Sequence, residues 1–181
     1  MIVAGASNPT ASEGGLSFNL DMSSTVKTVA DFEAFMARFE NENHKAKVTP
    51  CFWNLDGELV DFCGFNVPKD CVFLLTKLRE RHDFMENFRV ALCNGNFMLR
   101  QLGAVITDMN YSQINYLTET RLLEWRIVVK DLMKWGLDLG FLLDYLREVA
   151  WRMFAFRAKV EIKNLEHNIA DLKKLIELLD N

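Results

Sequence analysis

Apolar positions along most of this chain recur every three or four residues, the spacing of one face of a helix. The stretch "TVADFEAFMARFE", from Thr28, sets Phe32, Phe35, Met36 and Phe39 on such a face, with Thr28 or Asp31 able to cap its start. The polar link "ENENHKAK" follows, so residues 28–46 read as a short helix and linker. Ahead of them, residues 1–27 contain "AGASNPTASEGG", small and polar residues that bury too little surface to offset their ordering entropy. They read as a flexible tail.

Residues 47–150 read as a helical domain with one interruption. In "CFWNLDGELVDF", two apolar triplets surround Asn54, Leu55, Asp56 and Gly57, and Asp-Gly favours the positive φ angles of a tight turn. A short β-hairpin over 51–62 is one expectation there and an irregular loop the other. Pro68 suits a first helical position, and Cys71, Leu74, Leu75 and Leu78 follow on one face of a helix that should end near His82. Met98, Leu99, Leu102, Val105, Ile106 and Met109 mark a core helix, with Asn94 or Asn96 as its cap. Thr118, between Leu117 and Leu122, reads as a capped and stapled helix start. The buried side of that helix should be Leu122, Trp125, Val129, Leu132 and Met133, and Gly136 supplies its left-handed stop. Leu137, Asp138 and Leu142 repeat the starting device, which places the next helix start near Leu139.

From Phe141 onward neither Pro nor Gly interrupts the chain. The last helix can therefore run far past the roughly 11 or 12 residues of an average helix. It carries two apolar seams. Leu139, Leu142, Leu146, Val149, Met153, Phe156 and Val160 form one, expected to pack on the body of the chain. Trp151, Ala155, Ala158, Ile162, Leu165, Ile169, Leu172, Ile176 and Leu179 form the other, on nearly the opposite side at about 100° per residue. Residues 151–181 are thus expected to be a coiled-coil extension continuous with the last bundle helix. The expected partner-binding residues are Ala155, Ala158, Ile162, Leu165, Ile169, Leu172, Ile176 and Leu179. With the three Ile at position a and Leu165, Leu172 and Leu179 at d, the first expectation is a parallel homodimer. Glu161 would then face Glu166 of the other chain, and Leu175 falls outside the strict seam. A heteromeric coil, an antiparallel pair and folding back on the chain's own body stay open.

Composition narrows the function classes. Half of the 181 residues are hydrophobic, a quarter are charged, and fourteen are Phe, a globular mixture. The net charge of −4 argues against a general grip on nucleic-acid phosphates. No apolar run approaches the roughly 18 residues of a membrane span, and the N-terminus lacks a secretory pattern. The expectation is an intracellular protein, with cytoplasm and nucleus both open. Cys51, Cys63, Cys71 and Cys93 then read as reduced thiols, and their spacing, with His82 added, is too wide for a compact zinc site. No metal or cofactor is expected.

Catalytic signatures are absent: the chain holds no Gly-rich phosphate loop, no Gly-x-Ser-x-Gly and no His-Glu-x-x-His. His82 in "RERHDF" lies beside carboxylates but reads as a solvated helix end, where cations complement the dipole. "WRMFAFRAK" mixes aromatic and basic residues that serve better as seam and snorkelling cations than as a nucleic-acid or lipid patch.

From "DFCGFNVPKD" to the C-terminus, the order of features resembles the C-terminal helical region of plant MATH-domain and coiled-coil proteins, also labelled phospholipase-like. The matching residues are Gly64, Phe65 and Val67 before a helix, then "ERHDFMENFR", "LRQLGAVI" and "GLDLGFLLDYLREV" leading into a charged coil. A related helical domain accompanies Agenet modules in other plant proteins. The resemblance implies a protein-interaction role, although these residues leave no room for a MATH sandwich, 51–62 has no counterpart, and no lipase motif supports the phospholipase label. The expected function is a non-catalytic association or oligomerisation module, mainly α, acting through its C-terminal helix. Its rivals are a lipid-directed hydrolase with a site assembled from separated residues and a local nucleic-acid contact through the Arg152 to Lys163 face.

Overall fold

The computed structural model describes residues 27–41 and 57–180. The expected tail, most of the polar link, and residues 51–56 of the expected hairpin lie outside the described residues, as do the side chains of Lys27 and Thr28. The described elements are α1 (Lys27–Glu40), β1 (Leu59–Phe62), β2 (Phe65–Pro68), α2 (Lys69–Arg81), α3 (Leu92–Tyr111), α4 (Glu119–Lys134) and α5 (Gly140–Leu179). The chain is mainly helical, with a two-stranded antiparallel hairpin and a C-terminal helix of 40 residues.

The described hairpin pairs Leu59 with Pro68 and Phe62 with Phe65. Its turn is therefore Cys63-Gly64, not the Asn54–Gly57 stretch, and Leu59–Phe62 is its first strand. Cys63 (φ 55°) and Gly64 (φ 84°) both adopt the positive angles that a two-residue turn of this hand demands. A cysteine in that position hides the turn from sequence reading. Phe62 and Val67 face inward while Leu59 stays exposed, so the hairpin contributes one apolar face.

That face rests on α3. Phe65 lies so close to Gly95 that a Cβ there would fall 2.0 Å from its ring. Asn96 Oδ1 accepts the Asn66 N–H at 2.8 Å. Asn94 and Asn96 thus lie inside the first turns of α3 and do not cap it; the N-cap is Ala91, without a side-chain bond. Asp31 likewise lies inside α1. At α4 the expected device is present: Thr118 Oγ1 accepts the Arg121 N–H at 3.2 Å, with Leu117 and Leu122 both buried. At α5 it is not, because the N-cap is Leu139 with no side-chain bond, and the Asp138 N–H instead donates to Phe84 O at 2.9 Å. Gly136 (φ 94°) ends α4 as the sequence predicts.

α3 is central, with α2 and the hairpin on one side and α4 on the other; α5 packs on α4, and α1 lies across both α4 and α5. Phe35 and Phe39 of α1 belong to the same core as Leu99, Leu102, Leu122 and Leu146. Polar ties link the helices. Buried Asp108 of α3 accepts the Trp125 Nε1–H at 2.7 Å and pairs with Arg121 at 2.7 Å, both on α4. Arg126, also buried, donates to Asn41 O at 2.9 Å and lies over the Phe39 ring, which secures the end of α1 to α4.

Candidate partner-binding face of the last helix

At 1.5 Å per residue α5 is about 60 Å long. Only its first part is packed. Its buried residues are Leu142, Leu143, Leu146, Ala150, Met153 and Phe154, and none follows Phe154. Phe154 ends the packed face because α1 reaches it, with the Phe32 and Phe35 rings 5.4 and 5.5 Å away. This shifts the body-facing seam from the sequence expectation. Phe156 and Val160 are exposed, because the covering neighbour is α1 on the Phe154 side rather than a helix on theirs.

Ion pairs fix where the body lets go. Arg147 holds Glu40 at 2.7 Å and Asp144 at 2.6 Å. The hydrogen bond from Arg147 holds the Glu40 carboxyl below the usual range for a glutamate, despite partial desolvation. Arg157 reaches Glu119 and the Leu117 carbonyl, both at 3.2 Å, and its guanidinium lies over the Phe154 ring. Beyond Glu161 the helix projects from the body for about 27 Å.

The expected partner-binding residues all lie on this segment or where it begins. Ile162, Ile169 and Ile176 are 55, 52 and 58% exposed, and Leu165 and Leu172 between them are half-buried. Ala158 is half-buried, Ala155 is exposed, and Leu179 is 85% exposed. Trp151, at the near end of the same stripe, is exposed too. The seam that the sequence sets apart from the core is thus a continuous surface stripe from Trp151 to Leu179.

A groove of about 800 Å³ escapes sequence reading. It is lined by Phe73, Leu74 and Leu78 of α2, by the end of α3, and by Phe141, Tyr145 and Glu148 of α5. Three elements meet there, and the one local signal is Phe73, which is exposed and out of phase with the buried Cys71 and Leu75 of its helix. On its wall the His82 ring stacks on Phe141, centroids 3.8 Å apart. The groove continues the stripe, because Phe141, Asp144 and Glu148 extend the same helical face on which Trp151, Ala155 and Ala158 lie.

The other candidates resolve differently. Arg152 and Arg157, read as basic members of "WRMFAFRAK", pair with Glu148 and Glu119. Cys71 is buried and its thiol is pushed up to about 11 by desolvation, whereas Cys63 and Cys93 are exposed; Cys51 lies outside the described residues. Among the described residues, no three His, Cys, Asp or Glu side chains are grouped to hold a metal ion, and no helix is long and apolar enough to cross a membrane. No protein-family model, curated protein or solved structure matches this chain.

Proposed function

We propose that this protein is an association module that binds another polypeptide helix along the Trp151 to Leu179 face of α5. One observation carries this reading: the apolar stripe continues, at unbroken three-four spacing, past the last residue that the body buries. Fully burying an Ile or Leu contributes about 1.5–3 kcal/mol, so covering what remains exposed of the six along the stripe contributes roughly 5–10 kcal/mol before ordering costs. Micromolar association needs about 8 kcal/mol net, so the apolar surface that the partner buries in return must add to this. An amphipathic helix that supplies anchors at a and d positions uses this surface in the manner of coiled coils. The likeness to the helical region of plant MATH-domain and coiled-coil proteins points the same way.

Ile169→Asp with Leu172→Asp in the full chain tests it, because each carboxylate would have to be desolvated inside an interface but not in a free helix. Sedimentation velocity should show concentration-dependent assembly of the wild type and loss of that assembly in the variant, with the near-ultraviolet circular dichroism of the aromatic core unchanged. The reading fails if the two proteins sediment alike and retain the same proteins from a cell extract.

A further inference from the structure

The occupant of the α5 stripe follows from an asymmetry within the stripe itself. Its near half, beside the body, is built on small residues, Ala155 and Ala158, below an exposed Trp151; its far half carries only large ones, Ile169, Leu172, Ile176 and Leu179. A helix that pairs with it in the same direction and register would stack Ala on Ala near the body and leave those layers thin. It would also set Glu161 against Glu166 of the partner, and Leu175 beside the partner's Asp180.

Reversing the direction removes all three conflicts. Building on the association read above, we infer that the partner is a second copy of this chain, antiparallel along α5 with Ile162 opposite the partner's Leu165. In this register Ala158 meets the partner's Ile169, Ala155 the partner's Leu172 and Trp151 the partner's Ile176, so each small position receives a large one, as close packing requires. Lys159 then flanks the partner's Glu166, which replaces the like-charge pair with two symmetry-related opposite-charge pairs. Leu175, which has no place in a strict seam, is moved away from the partner's Asp180. One like-charge approach remains, Arg152 near the partner's Lys173, and Glu148 already holds Arg152.

The same register accounts for the end of the helix. Leu179, 85% exposed, arrives beside Tyr145 and Glu148, at the mouth of the groove on the other chain. Lys77 and Arg81 line that groove from α2, among the carboxylates of Asp70, Asp144 and Glu148, and are opposite in sign to Asp180 and the negative end of the arriving helix dipole. The two bodies stand at opposite ends of the shared rod. In this register the end of each α5 reaches the groove of the other copy.

Charge exchange in the full-length protein tests the direction. In the antiparallel pair Glu166→Lys and Lys159→Glu should each weaken dimerisation by about threefold to tenfold at low salt, and the double exchange should restore it. In a parallel pair Glu166→Lys removes a repulsion and dimerisation tightens. A tighter or unchanged dissociation constant for Glu166→Lys overturns the antiparallel register while leaving association intact; a wild type that is monomeric throughout the micromolar range overturns the second copy as occupant. Spin labels at Lys174, in a background without other reactive cysteines, read the geometry directly. They should sit about 30 Å apart along the rod, whereas a parallel pair separates them by little more than the interaxial distance of about 10 Å.

Discussion

The two halves of α5 obey the same helical periodicity and meet opposite fates. In the near half, Leu142, Leu146, Met153 and Phe154 are enclosed by α4 and α1, while in the far half equally apolar Ile and Leu residues face water. What separates them is the supply of covering elements: α1 meets α5 as far as Phe154, the start of α4 reaches it at Arg157, and no residue of α5 after Phe154 is buried. A periodic apolar face therefore states a need for burial, and only the neighbours available decide whether the chain meets it alone.

The sharpest way to break this contrast is to truncate one residue in each half. Leu146→Ala should destabilise the body by about 2–5 kcal/mol in urea unfolding, because Leu146 is fully buried and its neighbours cannot close the cavity. Ile169→Ala, measured below the dissociation constant, should leave the same transition unmoved. A loss of body stability in the second variant would mean that the stripe packs within its own chain.

The polar tie that holds α3 to α4, and so presents the α4 surface on which α5 rests, should show a smaller effect. Trp125→Phe removes the indole N–H from Asp108 and should cost about 1–3 kcal/mol, seen as a lower urea midpoint with an unchanged slope. Next comes the start of α4, where Thr118→Ala should cost about 1 kcal/mol by thermal melting, and Thr118→Ser little.

The smallest effect is electrostatic. Because Arg147 depresses the folded-state pKa of Glu40, their pairing stabilises the body above the ordinary glutamate pKa and is lost as pH falls through the depressed folded value. The pair is largely exposed, so Glu40→Gln should cost about 0.2–1 kcal/mol at neutral pH, and the difference from wild type should vanish in acid. Urea titrations at neutral pH and near pH 3 check it. A difference that persists in acid would assign the loss to packing of α1 instead.

Much of this was legible in the residues. The stripe of α3, the Thr118 cap, the Gly136 stop and the long uninterrupted α5 follow from local rules of spacing and backbone freedom, which tertiary contacts reinforce here instead of opposing. The misread helix caps share one cause. Asn94 and Asn96 look like caps, yet Asn96 is used to hold the hairpin; Asp138 looks like a cap, yet its backbone is held by Phe84 from a distant turn. A polar side chain near a helix start has several ways to satisfy its hydrogen bonds, and which it takes depends on what the fold brings near.

The sequence by itself determined which residues of the last helix are apolar and in what phase, because side-chain chemistry and a fixed 3.6-residue turn need no neighbours. Tertiary structure alone decided where along that helix the body's own cover ends, that α1 would claim Phe154 in place of Phe156, and that Phe73, Phe141 and Tyr145 would share a groove. Those outcomes depend on contacts between residues tens of positions apart, whose geometry is set only when all the helices pack at once.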